Sequence, residues 1–210
     1  MITVAFFNNR RGVGQTSLVY HVAWALTELG RRVLVADLDP QAGLSARCLR
    51  EERLEELWSA EGPRRQTVFG AVHDLGRTLG EPAPVPAEPL SNRLGLLVGD
   101  LALSTFEATL SDAWQRRHDR SAPSHRLTGA LDRAVRQAAL DWGADVALID
   151  LGPNLSAINR AAVVTAEWLV TPLNADLFSV QALRSLGPAL KTWRSEWAAR
   201  VDRGALSPGA

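Results

Sequence analysis

Apolar and polar positions divide this chain into short buried runs alternating with amphipathic stretches. Residues 2–7 (ITVAFF) form an apolar run rich in β-branched and aromatic side chains, which predicts a buried strand. The run stops at a polar, glycine-containing turn, and a helical period begins near residues 14–16. That period predicts Leu18, Val22, Ala25, Leu26 and Leu29 on one inward face, with Gly30 as the terminating glycine. A second buried strand follows over residues 32–38 (RVLVADL). Two apolar strands joined by one helix make a βαβ unit, whose crossover is right-handed and whose strands are parallel.

The middle of the chain is less regular. Residues 54–58 and 67–79 read as helical, and the proline-rich stretch 80–89 reads as a surface connection, because it fits neither a helix nor a central strand. A strand is predicted over 93–98. An amphipathic helix follows over 127–142, with Leu127, Leu131, Ala134, Val135, Ala138 and Ala139 inward. Residues 145–150 predict a strand ending in a carboxylate, 157–166 a helix, 168–173 a strand and 180–197 a helix. The fold class is therefore α/β, a mostly parallel sheet flanked by helices. It is expected as one domain over residues 1–203 with a frayed tail at 204–210.

Composition narrows the picture. With 23 basic and 23 acidic residues, bulk charge gives no argument for nucleic acid or membrane. Lys191 is the only lysine, so chemistry that ordinarily uses an ammonium must be done otherwise. The one cysteine, Cys48, excludes an intramolecular disulfide and a multi-cysteine metal site and fits a reducing compartment. Neither a signal peptide nor an apolar membrane span is visible, so a cytoplasmic protein is expected.

In parallel sheets ligands gather beyond the carboxyl ends of the strands. Three such ends carry suggestive residues. The first is the turn from Arg10 to Ser17, where Gly12 and Gly14 let backbone N–H groups approach phosphate oxygens and Thr16 offers a hydroxyl to a magnesium ion. The second is Asp37-Leu38-Asp39-Pro40-Gln41. The third, from Asp150 to Asn154, is an acidic strand end followed by a glycine, which could hold a hydrated magnesium ion.

On these residues the chain resembles the ParA/MinD family of deviant-Walker P-loop ATPases, and especially the ParA-like partition proteins. The resemblance spans roughly residues 2–195. The family's loop reads Lys-Gly-Gly-x-Gly-Lys-Thr-Ser/Thr, and here Arg10, Arg11, Gly12, Val13, Gly14, Gln15, Thr16 and Ser17 stand in its places. The resemblance implies a P-loop NTPase fold that binds ATP through Arg11, Gly12, Val13, Gly14, Gln15, Thr16 and Ser17, and Mg2+ through Thr16 and Asp150. Asp39 matches the aspartate that positions the attacking water, and Arg10 the signature lysine that reaches across a nucleotide-sandwich dimer. Residues 172–179 are similar to the family's segment after a later core strand. The family fold continues into further strands after this segment; the resemblance therefore leads to the expectation that these C-terminal strands are missing here, and adenine recognition is unassigned. The implied partners are a second copy in a homodimer, nonspecific DNA and a ParB-like protein, with no membrane.

The departures from the family loop change its charges. Gln15 replaces a lysine that reaches the β- and γ-phosphates. Losing one charge-assisted contact costs about 1.5–3 kcal/mol, or roughly ten- to hundredfold in affinity. Arg10 keeps its charge in a wider, planar fork. Arg11 replaces a glycine, so a positive φ there would be strained, while its guanidinium could return the missing charge. These substitutions predict a partition-type or cargo-positioning switch with impaired hydrolysis. The alternatives are a pseudo-ATPase binding or dimerisation module and a truncated, nonfunctional paralogue.

Several features have plainer readings. Asp37 is expected to satisfy backbone donors at a strand end. His21, His73, His118 and His125 lack metal-ligand spacing, and Cys48 is structural. Trp58, Trp114, Trp142, Trp168, Trp193 and Trp197 are expected in core or dimer packing. The arginines at 64–65 and at 116, 117 and 120 suit a solvated face better than DNA.

Overall fold

A computed structural model describes residues 1–59, 65–75, 80–115 and 126–205. The short apolar runs form strands β1 (Ile2–Phe6), β2 (Val33–Asp37), β3 (Glu88–Pro89), β4 (Leu94–Leu97), β5 (Val146–Asp150) and β6 (Trp168–Val170). They lie side by side in the order β3-β4-β2-β5-β1-β6. All neighbours are parallel except β3, which runs antiparallel to β4 at the sheet edge.

Helices α1 (Gln15–Glu28), α2 (Gly43–Cys48) and α3 (Glu51–Ser59) cover one face. Helices α4 (Val68–Val72), α5 (Phe106–Gln115), α6 (Ala130–Trp142), α7 (Ala157–Thr165) and α8 (Leu177–Ala205) cover the other. The strands feed both cores by alternation: Leu34, Ala36, Ala147 and Ile149 join the larger cluster, whereas Val33, Val35 and Leu148 join the smaller.

The strand expectations hold, with the last strand ending at Val170 rather than 173, just ahead of Pro172, which has no N–H to give a ladder. The proline-rich stretch contains the two residues of β3, an edge position that Pro89 can occupy. The helix expected over 67–79 is limited to α4 among the described residues, since 76–79 lie outside them. Helices α2 and α5 and the 3-10 turn Leu101–Thr105 were not expected. α8 begins three residues earlier than expected and continues through 204 and 205. Residues 206–210, the rest of the expected tail, lie outside the described residues.

The face expected for α1 is met in part: Val22 and Leu26 are partly buried against the smaller core, but Leu18, Ala25 and Leu29 are exposed. Val19 and Ala23 are its buried residues, whereas Leu29 is 75% exposed and Leu18 also meets water. Val19 and Ala23, four residues apart, lie on one side of the helix and define the stripe that faces the sheet. For α6 the expectation is met from Leu131 to Ala139, with Leu127 partly buried against the same core. Trp114 and Trp193 are buried as expected, and Trp58 donates its indole N–H to the Gly99 carbonyl at 2.9 Å. Trp168, on the edge strand β6, is 65% exposed and so lies outside the core, which leaves the dimer-packing alternative for it. Among the described residues no helix is long and apolar enough to cross a membrane.

Candidate functional site

The register of the central strands creates the site. Phe6 of β1, Asp37 of β2 and Asp150 of β5 end at one level, Asp150 facing both of the others. The chain leaves β1 at that level into the loop at residues 8–14 and then enters α1. Gly12 (φ 78°) and Gly14 (φ 77°) hold left-handed backbone that an L side chain rarely adopts, and a Cβ at either would meet open space. The glycines are therefore required by conformation and leave room for a ligand. Arg11 stands outside the positive-φ region, so the strain considered for it is not realised.

A cleft of about 230 Å³ lies over this loop. Arg10 to Ser17 line it together with Asp39, Gln41, Leu151 and Pro153. The loop and the Asp39 segment expected at one strand edge thus share one cavity with the start of the segment after β5. Asp150 lies beneath it, 1% exposed.

Gln15 is folded inward. Its Nε2 donates to Asp150 Oδ1 at 2.9 Å and to the Leu151 carbonyl at 2.5 Å, and its Oε1 accepts the Asn8 N–H at 2.8 Å. The amide thus uses both ends to close the floor of the loop, which an ammonium could not do because it has no acceptor.

Burial pushes the Asp150 carboxyl up to about 6, against hydrogen bonds from Gln15 and Thr16. Thr16 and Asp150 are therefore adjacent, the arrangement a magnesium ion coordinated through a hydroxyl and a carboxylate, directly or through water, would need. The open glycine cradle fits a phosphate. The loop thus offers room for a phosphate group and a hydroxyl–carboxylate pair for a cation, with the neutral amide of Gln15 between them.

Asp37 takes the plainer role expected for it. It accepts the Ser45 N–H at 2.8 Å, the Ser45 hydroxyl at 2.7 Å and the Asp39 N–H at 3.2 Å. Ser45 Oγ in turn accepts the Gly99 N–H at 2.8 Å, so Asp37 joins the starts of α2 and the exit of β4. Complete burial, with Asp150 adding repulsion, raises its pKa to about 7. Asp39 accepts the Gln41 N–H at 3.0 Å, and a Cβ at Gly152 would come within 2.9 Å of its carboxylate. Asp39 thus faces the segment after β5 across the cleft.

Arg10 is already engaged. Its Nη1 donates to Asp176 Oδ1 at 2.5 Å and to Ser179 Oγ at 2.8 Å, and its guanidinium lies 5.5 Å from the Phe178 ring. Sequence reasoning gave these three partners no role. The visible signal was an acidic residue and a serine opening an apolar helical run.

The remaining candidates lie elsewhere. Arg65 binds both Asp100 carboxylate oxygens at 3.0 Å, so it is built into the fold, while residues 64, 116, 117, 118, 120 and 125 lie outside the described residues. Burial pushes the half-buried Cys48 thiol up to about 11, as befits an inert packing residue. No group of histidine, cysteine or acidic side chains suited to a metal is found among the described residues.

Comparison with known proteins now adds the ancestry of this site. A family model described as an AAA domain matches residues 1–202. Protein IncC of Escherichia coli is 32% identical over 187 residues, covering 89% of this chain and 44% of that protein. The chromosome-partitioning ATPase Soj of Thermus thermophilus is 30% identical over 197 residues, covering 91% of this chain and 62% of that protein. The chain therefore spans less than two thirds of either relative. The crystal structure of protein DIP2308 from Corynebacterium diphtheriae superimposes with a TM-score of 0.82 at 31% identity, over 97% of this chain and 70% of that one. With the strand order, the glycine loop and the acids after β2 and at the end of β5, these matches show that the chain belongs to the ParA/MinD family of P-loop ATPases, with a degenerate phosphate loop.

Proposed function

We propose that this chain is a ParA-like nucleotide-dependent switch that binds ATP with magnesium and acts in DNA partition or cargo positioning, with hydrolysis impaired by Gln15. One observation carries the reading: the glycine cradle is open and correctly turned, while Gln15 is spent on Asp150, Leu151 and Asn8. Backbone N–H groups of residues 11–17 would hold the phosphates, Thr16 and Asp150 the metal, and Asp39 the attacking water. The ion supplies charge neutralisation of the phosphates when bound. Without the lysine, that neutralisation falls to Arg10, Arg11 and the ion. The family resemblance supports, as the proposed working state, a homodimer on DNA regulated by a ParB-like protein, in the cytoplasm and with residues 1–203 as one domain.

A second reading, a pseudo-ATPase that binds or dimerises without turnover, draws on the same Gln15 contacts. Together with Arg10 held on α8, they leave the loop stable without ligand.

The test is ATP binding and turnover with magnesium for the native chain and for Gln15→Lys. The native chain is expected to bind about 10- to 100-fold more weakly than the variant and to turn over more slowly. Equal turnover in both would sink the impairment. Binding without turnover in the native chain would favour the second reading, and no binding by either would end the nucleotide reading altogether.

A further inference from the structure

Three consecutive loop residues reach across to the connection between β6 and α8 and to the first turns of α8 itself. Asn8 Nδ2 donates to the Pro172 carbonyl at 2.7 Å, Asn9 Nδ2 to Ser185 Oγ at 3.2 Å, and Arg10 to Asp176 and Ser179 as described. The two acceptors of Arg10 are also the groups that begin α8. Asp176 Oδ1 accepts the Ser179 N–H at 2.7 Å, and Ser179 Oγ accepts the Asn174 N–H at 3.1 Å. Arg10 holds the Asp176 carboxyl below the usual carboxylate range. Directly beside this cluster, Leu177 and Phe178 present apolar side chains that are 69% and 71% exposed.

Arg10 also lines the cleft. Because Gln15 is neutral and committed inward, Arg10 and Arg11 are the cations on the cleft wall among the described residues. A phosphate in the cleft and the first turn of α8 therefore compete for the same guanidinium. The contest favours phosphate: the Arg10–Asp176 pair is partly exposed and weak for that reason, while guanidinium and phosphate form paired charge-assisted hydrogen bonds.

We propose that Arg10 is a reversible clasp: a phosphate group entering the cleft draws Arg10 from Asp176 and Ser179, loosening the first turn of α8 and repositioning Leu177 and Phe178. The clasp rests on the nucleotide reading above and adds its output, a surface on α8 that reports whether the loop is filled. Asp176 acts here as a positioning residue, since it governs Arg10 without needing to touch the ligand.

Hydrogen exchange of residues 174–185, with and without ATP and magnesium, tests the clasp on the full chain alongside calorimetric ATP binding for the native chain, Asp176→Asn and Asp176→Glu. Asparagine keeps the helix cap but discards the charge. ATP is expected to raise exchange at 177–180 several-fold. Asp176→Asn should show raised exchange without ligand and bind ATP about two- to fivefold more tightly, and Asp176→Glu, which keeps the charge, should bind ATP with native affinity. If ATP binds while exchange at 174–185 and the affinity of Asp176→Asn stay at native values, the clasp is wrong and the nucleotide reading stands. If neither these proteins nor Gln15→Lys binds ATP, both fall together.

Discussion

Behind the phosphate loop, Gln15 is tied to the buried Asp150 and Leu151; in front of it, Arg10 is tied to the buried Ser179 and to Asp176, and both side chains of the Arg10–Asp176 pair meet solvent. The same loop is thus fastened twice, by a neutral amide on the inside and by an ion pair on the outside. Burial makes a polar contact costly to lose, because water cannot replace it, and exposure makes a charged contact easy to exchange. The interior fastening therefore belongs to stability and the exterior one to response. Perturbations on the two sides should differ in size accordingly.

The largest effect is expected from pH. Asp37 (about 7) and Asp150 (about 6) both lie above the ordinary carboxylate value of 3.8 in the folded chain, which therefore holds these protons more tightly than the unfolded chain does. Their stabilisation is complete below the unfolded value, near pH 4, and is lost as pH rises through about 6 and 7. Between pH 5 and pH 8 this linkage is expected to remove on the order of 2–4 kcal/mol, read as a falling midpoint in urea titrations. Asp150→Asn removes one titrating acid and its repulsion on Asp37, so its midpoint should vary less across the same range. An identical pH profile for native and variant chains would refute the assignment to this pair.

A smaller interior effect is expected from Gly99→Ala. An added Cβ would fall 2.7 Å from the Asp37 Cγ, and Asp37 cannot retreat without releasing Ser45. Overpacking of this kind costs about 1–3 kcal/mol, or a fall in Tm of roughly 3–10 °C by calorimetry. The smallest effect lies outside: Asp176→Asn should leave Tm within about 2 °C of native while changing ATP affinity. A Tm loss as large as that of Gly99→Ala would erase the distinction between the two fastenings.

The first 41 residues were the most legible part of the sequence, because a short apolar run, two glycines and a helical period follow in fixed order and each has a separate physical meaning. The cleft inherited that clarity: its lining residues 10–17 and 39 were named from spacing and resemblance. Helix α2 was hidden because six residues show no period, and it begins after Ala42 at φ 50°, a turn usually announced by glycine. The rotation of α1 was legible only in part, because hydrophobicity favoured Leu18 and Leu29, whereas the buried stripe runs through Val19 and Ala23. The inward fold of Gln15 and the pairing of Arg10 with a residue 166 positions later are facts of tertiary structure, and no local pattern encodes them.

The two margins of the sheet have unequal capacities for growth. At one, β3 is only two residues long and ends in Pro89, whose ring nitrogen has no hydrogen to offer an incoming strand. At the other, β6 pairs with β1 alone among the described strands, and it carries the exposed rings of Trp168 beside Val170. An arriving extended peptide would find a receptive template on the second margin and a blunted one on the first, so any lateral extension of this sheet has a built-in direction.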